Sequence, residues 1–324
     1  MNRPQRRLPL PHSHSPASAP AMTDTQSTQP HGGLAMALGA YLIWGVMPLY
    51  LRMVHWVPPL EFIGWRIIWT LPLCLAFVLL RGESAALVAA LRSGRILALL
   101  SLSATLIAVN WMVYVVAIQS GHVFAASLGY YINPLVNVLA GTLLLRERLS
   151  QRQWLAVALA ALGVSLLAWD AREMLWISLT LAVSFSAYGL VRKLVAVESL
   201  PGLTVETMLL LLPSLATVWF FAQGPGGSAM SHGLGPSLLL AGGGAMTGIP
   251  LLLFAAAARR MDYSSLGMVQ YCAPTIVFLL GVFVFNEPLR PVQLACFVLI
   301  WVAIAVFVWD ILARRRARLD LAPA

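Results

Sequence analysis

Apolar residues run along this chain in blocks of about 20, separated by short breaks rich in arginine, glycine and proline. A helix of about 20 apolar residues crosses the roughly 30 Å hydrocarbon core of a bilayer, whereas a transmembrane barrel shows short alternating segments instead. The blocks predict ten membrane-spanning helices near residues 33–53, 61–81, 95–118, 124–145, 153–170, 174–192, 204–222, 236–257, 264–285 and 292–312. The short connections predict that successive helices lie side by side, antiparallel.

Composition supports lipid as the solvent: 60% of the 324 residues are hydrophobic and only 10% are charged. Soluble domains carry roughly 25% charged residues. The net charge of +9 could suit nucleic acid, but the basic residues sit between apolar blocks. With the N-terminus placed in the cytoplasm, 17 of the 21 basic residues fall on the inner side, the asymmetry expected of an inner-membrane protein with both termini cytoplasmic. Arg52, Arg172 and Arg290 stay outside, and Arg66 lies within a span. Residues 1–32, rich in Pro, Ser, His and Arg, read as a disordered tail. Either Met1 or Met22 can begin translation. Cys74, Cys272 and Cys296 fall in apolar runs as small core residues, and the six histidines fall in the tail or loops. No metal, cofactor or histidine-based catalyst is expected. The single lysine, Lys193, is not in a phosphate-binding loop, which argues against ATP-driven transport.

The chain repeats itself. At an offset of 140, Pro134 meets Pro274, Gly141 meets Gly281, Glu147 meets Glu287, Leu149 meets Leu289 and Gln153 meets Gln293. Upstream, SLG at 127–129 matches SLG at 265–267. The reading is an all-α integral membrane protein of two five-helix units, 33–171 and 174–314, with a basic C-terminal tail at 315–324. Five is odd, so the second unit enters the membrane inverted. Inverted repeats build many secondary transporters, with the binding site near the midplane.

Polar groups at membrane depth are costly and often mark a pathway. Ser127, Tyr130, Pro134, Asn137 and Gly141 step by three and four residues along one helix face, with Asn133 beside them. Pro134 and Pro274 interrupt their helices, freeing the carbonyls of Tyr130 and Gln270, and Tyr271 adjoins the second break. Asn110, Trp111 and Tyr114 add polar edges from the third span. A kinked helix satisfied by its neighbours reads the same way. Glu61 and Glu206 open spans at corresponding places in the two units, as proton sites, ion-pair partners or plain helix-start residues. Arg66 suits either an anionic solute or Glu61. Glu147 and Glu287 read as caps of the tight connection to the next span, Arg192 and Lys193 as topology anchors, and Gly242–Gly244 as a close-packing surface.

The motifs AYLIWGVMPLY (40–50), NWMVYVVAI (110–118), ASLGYYINPLVNVLAGTLLLRERL (126–149), YGLVRK (188–193), VETMLLL (205–211) and SSLGMVQYCAPTIVFLL (264–280) together resemble the RarD family, in the EamA branch of the drug/metabolite transporters. The resemblance implies ten helices in two inverted repeats and an inner-membrane permease. Two positions depart from it: Trp65 stands before Arg66 where the family usually has histidine, and Ala125 stands where it usually has glutamate. If those groups carry protons in relatives, this chain must use another. The expected partners are the lipid bilayer and a small-molecule solute, with no nucleic acid and with homodimerisation left open. A non-transporting sensor or scaffold is the alternative.

Overall fold

A computed structural model describes residues 30–120, 122–170, 174–286 and 290–320. The first 29 residues, Arg172, Glu287, Leu289 and the last four residues lie outside the described residues, and with them those sequence expectations. The described chain is all helix, without strands: α1 (Pro30–Met53), α2 (Pro59–Leu80), α3 (Ser84–Arg92), α4 (Gly94–Gln119), α5 (Val123–Leu143), α6 (Gln151–Asp170), α7 (Leu175–Leu194), α8 (Ser199–Ala222), α9 (Leu234–Arg260), α10 (Tyr263–Gln270), α11 (Cys272–Phe283) and α12 (Pro291–Asp320). Among the described residues nine helical stretches are long and apolar enough to span a membrane, with α10 and α11 counted as one. α5 is not among the nine; it is 21 residues long and carries two asparagines, two tyrosines and a proline.

The helices begin and end near the expected positions, with two departures. α3 was not expected; its apolar Leu87 and Ala90 are buried, and it packs against α8. α5 runs through Pro134 without interruption, so its middle is not broken. Near Pro274 the helix does part as expected, at Tyr271, three residues before the proline. Membrane helices tolerate proline where neighbouring groups satisfy the backbone it disturbs.

Sequence neighbours are not the main packing partners, contrary to the expectation from short loops. α6 packs on α12, α2 on α8 and α9, α5 on α7 and α10, α1 on α9 and α11, and α4 on α7. In lipid a helix gains nothing from hiding an apolar face, so close fit between surfaces decides the partners. The glycines of α9 supply one such fit. A Cβ on Gly244 would lie 2.5–2.7 Å from Trp69 atoms of α2, and one on Gly248 would lie 3.1 Å from Thr70.

Contacts across the bundle define two ends. At the basic end, Lys193 Nζ donates to Ala258 O (2.8 Å) and Met261 O (2.6 Å), and Arg259 donates to Val195 O (3.0 Å). At the opposite end, Tyr50 donates to Leu239 O (2.5 Å) and Trp56 rests on His232. One large apolar cluster closes the basic half, drawing Tyr41, Cys74, Leu100, Tyr188, Leu203, Phe254 and Tyr263 from seven helices. A second cluster, with Leu128, Ala160, Leu167, Cys296, Ile300 and Phe307, runs along α5, α6 and α12. Two smaller clusters lie toward the opposite end, one gathering Val54, Phe62 and Leu240 and the other Ala117, Ala125, Ile177 and Leu181.

The local geometry also recurs at the 140-residue offset. Arg146 and Asn286 are the two non-glycine residues with positive φ among the described residues, at 57° and 53°. Just before them, Leu145 N–H donates to Ala140 O and Phe285 N–H donates to Leu280 O. Gln153 accepts from Ser150 N–H (2.9 Å) at the start of α6, and Gln293 accepts from Arg290 N–H (3.4 Å) at the start of α12.

Candidate functional site

The sequence candidates separate into three groups. The first surrounds Arg66 on α2. Its guanidinium lies over the Trp111 ring at 4.0 Å and reaches the Phe62 ring at 5.9 Å. Stacking on a tryptophan face stabilises a guanidinium electrostatically. Tyr114 and Tyr130 meet edge to face at 5.9 Å, and both lie within electrostatic reach of Arg66. Arg66 thus touches Phe62 of one outer cluster, while Tyr114 packs against the other. Tyr130 is 42% exposed. Arg66 Nε is buried without a hydrogen-bond partner, and no carboxylate among the described residues pairs with the guanidinium. Glu61 is not its partner. That carboxylate accepts from Trp65 Nε1 (3.1 Å) and Ala229 N–H (2.8 Å), tying the start of α2 to the 3-10 turn Ala229–Ser231.

The second group is an amide network. Asn137 Nδ2 donates to Gln270 Oε1 (2.8 Å) and lies 3.3 Å from Asn133 Oδ1. Asn133 donates to Ala182 O (2.7 Å), and Tyr271 OH donates to Tyr131 O (3.2 Å). Asn110 donates to Leu181 O (2.8 Å) and Ser184 Oγ (3.0 Å) on α7. These buried amides join helices. Asn137 and Gln270 join α5 to α10 where Gly267 lets the two come into contact at Pro134 O. Ser127 is exposed and takes no part in the network. The face expected to form one wall is therefore divided, with Tyr130 beside Arg66 and Asn137 sealed at a helix crossing.

The third group forms around Glu206 on α8, and most of its members carried no signal in the sequence. Ser103 Oγ on α4 donates to Glu206 Oε1, and Arg192 Nη1 on α7 stands 3.5 Å from the same oxygen. Arg192 is fully buried, and its Nη2 donates to Ser199 O (2.9 Å). It is therefore buried in the bundle rather than a topology anchor, while Lys193 stays part-exposed at the basic end. Adjacent residues on a helix point about 100° apart, so the pair cannot snorkel together. One enters the bundle and the other caps the C-terminus of α9, where a cation suits the helix dipole. Gly202 leaves room for the guanidinium; a Cβ there would lie 2.8 Å from Nη2 and 2.9 Å from Cζ.

Glu206 lines a small cavity of about 10 Å³. That is about enough for one water molecule. Thr70, Trp111, Tyr188 and Thr247 share its wall, and Thr70 Oγ1 also reaches Arg66 O (2.7 Å). Trp111 therefore stands between the Arg66 group and the Glu206 cavity.

Glu147 caps a helix, but not the one that follows it. Its two oxygens accept from Tyr263 N–H (2.6 Å) and Ser264 N–H (2.8 Å), the first residues of α10. Asp262 precedes them. Desolvation, followed by repulsion from Glu147, pushes its carboxyl above the ordinary aspartate value, while Lys193 opposes the rise. No cluster of three or more metal-ligating side chains occurs among the described residues.

Comparison with known proteins agrees with this architecture. Residues 31–169 match the EamA-like transporter family. An uncharacterized transporter of Pseudomonas aeruginosa is 44% identical over 279 residues, covering 86% of this chain and 93% of its own. Protein RarD of Escherichia coli K12 is 40% identical over 292 residues, covering 89% and 97%. Protein RarD of Streptomyces exfoliatus is 43% identical over 297 residues, covering 90% and 93%. A crystal structure with 21% sequence identity superposes at a TM-score of 0.69 on 87% of this chain and 98% of its own, a likeness of fold. The chain is a multi-pass membrane protein of the transporter type, and it belongs to the RarD family of EamA-like transporters.

Proposed function

We propose that this protein is a secondary-active transporter of the bacterial inner membrane. It moves small organic solutes by alternating access and holds an organic anion at Arg66. The observation that carries the reading is the guanidinium itself. It is half-buried, laid over Trp111, flanked by Tyr114 and Tyr130, and paired with no carboxylate among the described residues. An unpaired cation within a bilayer is costly, and a binding anion would relieve that cost. The aromatic walls suit the apolar remainder of an organic solute.

Two units of five crossings, 33–171 and 174–314, inverted relative to one another, support alternating access. The recurrence of Arg146 and Asn286 geometry at offset 140 favours this arrangement, as does the packing of α1 on α9 and of α7 on α4, which interchange when the units are exchanged. The basic end would face the cytoplasm. Relatives named as transporters favour a carrier over an enzyme.

The test is a panel of small organic anions with neutral and cationic counterparts, read by thermal shift of the purified protein and then by flux into proteoliposomes. Anions should stabilise the wild type, by about 2.7 kcal/mol at about 100 times Kd, and should not stabilise Arg66→Gln. Stabilisation that survives in Arg66→Gln would refute the anion site. Binding without flux would favour a sensor or scaffold.

A further inference from the structure

Three side chains from three helices line the Glu206 cavity with buried oxygens that lack a close hydrogen bond: Glu206 Oε2 on α8, Tyr188 OH on α7, which faces the Glu206 carboxyl, and Thr247 Oγ1 on α9. Buried polar atoms are seldom left unsatisfied, and three around one water-sized space mark a site with an occupant. The Arg192–Glu206 pair is also incomplete. Contact is single-point at 3.5 Å rather than a two-pronged fork, and Arg192 Nε has no partner. A desolvated ion pair left so partially satisfied does not strongly hold the charged state. A carboxylate can only accept hydrogen bonds, while a protonated carboxyl can donate to a hydroxyl or to a water between them. Around Glu206, α7 brings Arg192 and Tyr188, α4 brings Ser103, α2 brings Cys74 and α9 brings Thr247. α3 contributes the apolar Leu87 and Ala90 to the surrounding cluster.

We infer that Glu206 is a proton-binding site linked to the solute site, taking the proton on Oε2 within the cavity it shares with Tyr188, Thr247 and Trp111. Protonation removes the one negative charge facing Arg192 and adds that uncompensated cation to the positive charge already present at Arg66, on the other side of Trp111. An anion beside Arg66 then binds more tightly, and by linkage a bound anion raises the affinity of Glu206 for the proton. Proton and anion therefore travel in the same direction. Only that direction rests on reading Arg66 as the anion contact; the proton site does not.

The experiment uses the full chain in lipid, first with protons as the only ligand and then with the small organic anions of the panel above. Infrared difference spectra are recorded between about pH 5 and about pH 8, the range reached by carboxyls in desolvated sites. The wild type should show a protonated-carboxyl band that titrates, and Glu206→Gln should lack it. Arg192→Gln removes the counter-charge and should raise the midpoint by about one to three pH units. Because Arg192 is fully buried and that variant can fail to fold, Ser103→Ala repeats the test more gently, raising the midpoint by removing a donor to the charged form. Identical spectra for wild type and Glu206→Gln, or midpoints unmoved in both other variants, would overturn the proton site. A titrating Glu206 with anion affinity independent of pH would overturn the linkage. An Arg66→Gln protein that binds anions normally would remove the anion reading and leave the proton site standing.

Discussion

Replacing Gly267 with alanine tests the crossing at which α5 meets α10. A Cβ at this position would lie 2.7 Å from Pro134 O and 2.8 Å from Asn137 Cβ. Neither atom can rotate away, since one is backbone and the other is fixed to it. Ordinary contact begins at 3.4 Å, so the helices must part by about 0.7 Å. Overpacking of this kind costs about 1–3 kcal/mol. The same movement stretches the 2.8 Å Asn137–Gln270 hydrogen bond to its limit, and interhelical bonds in membranes contribute about 0.6 and at most about 1.7 kcal/mol. The expected loss is about 2–4 kcal/mol. Gly235→Ala is the control: nothing lies within 4 Å of a Cβ there, and alanine is favoured over glycine in helices by about 1 kcal/mol. Reversible unfolding in mixed micelles, followed by far-ultraviolet circular dichroism, reads both variants. If Gly267→Ala is as stable as Gly235→Ala, the close crossing is not what holds the two helices in register, and the reasoning fails.

Three further outcomes follow from the same geometry. Glu147→Gln weakens the capping of Tyr263 N–H and Ser264 N–H and should cost about 1–2 kcal/mol; faster hydrogen exchange at those two amides would show it, and unchanged exchange would refute it. Gly202→Ala places a methyl group against the Arg192 guanidinium and should lower stability by about 1–3 kcal/mol in the same unfolding assay, more than Gly235→Ala does. Asp262 has a folded-state carboxyl above its ordinary value. Its charged form therefore disfavours folding; the penalty is absent below the ordinary aspartate range and grows as pH rises toward the folded-state value. Asp262→Asn should raise the thermal midpoint at neutral pH and leave it unchanged in strong acid, a small effect because the residue is exposed; a lower midpoint at neutral pH would contradict it.

The limits of the sequence show at particular residues. Gly243 and Gly244 announced a close packing surface because glycine has little other use within a membrane helix, and α9 does lie against Tyr50 and Trp69 there. Pro134 announced a break that α5 does not make. A proline reports the hydrogen bond it cannot form but not how its neighbours accommodate it. Asn110 and Tyr114 share a helix face and both meet α7 near Leu181, yet only Tyr114 also reaches Tyr130 and the Arg66 group. Arg192 looked like an anchor because it sits at a helix end beside Lys193. Its actual surroundings come from Ser199, Gly202 and Glu206 on the next helix.

The sequence by itself determined the solvent, the helical class, the approximate helix ends and the 140-residue recurrence. Each of these follows from local rules: apolar runs must match the bilayer, backbone groups in lipid must bond within their own helix, and copied residues keep their spacing. Only the tertiary structure decided which polar groups meet. Ser103, Arg192 and Glu206 come from α4, α7 and α8, and Glu147 caps a helix 116 positions away. In lipid every helix face is apolar enough to pack against any other, so hydrophobic pattern does not select partners. Glycine contacts and the few buried hydrogen bonds select them, and these exist only once the helices are assembled.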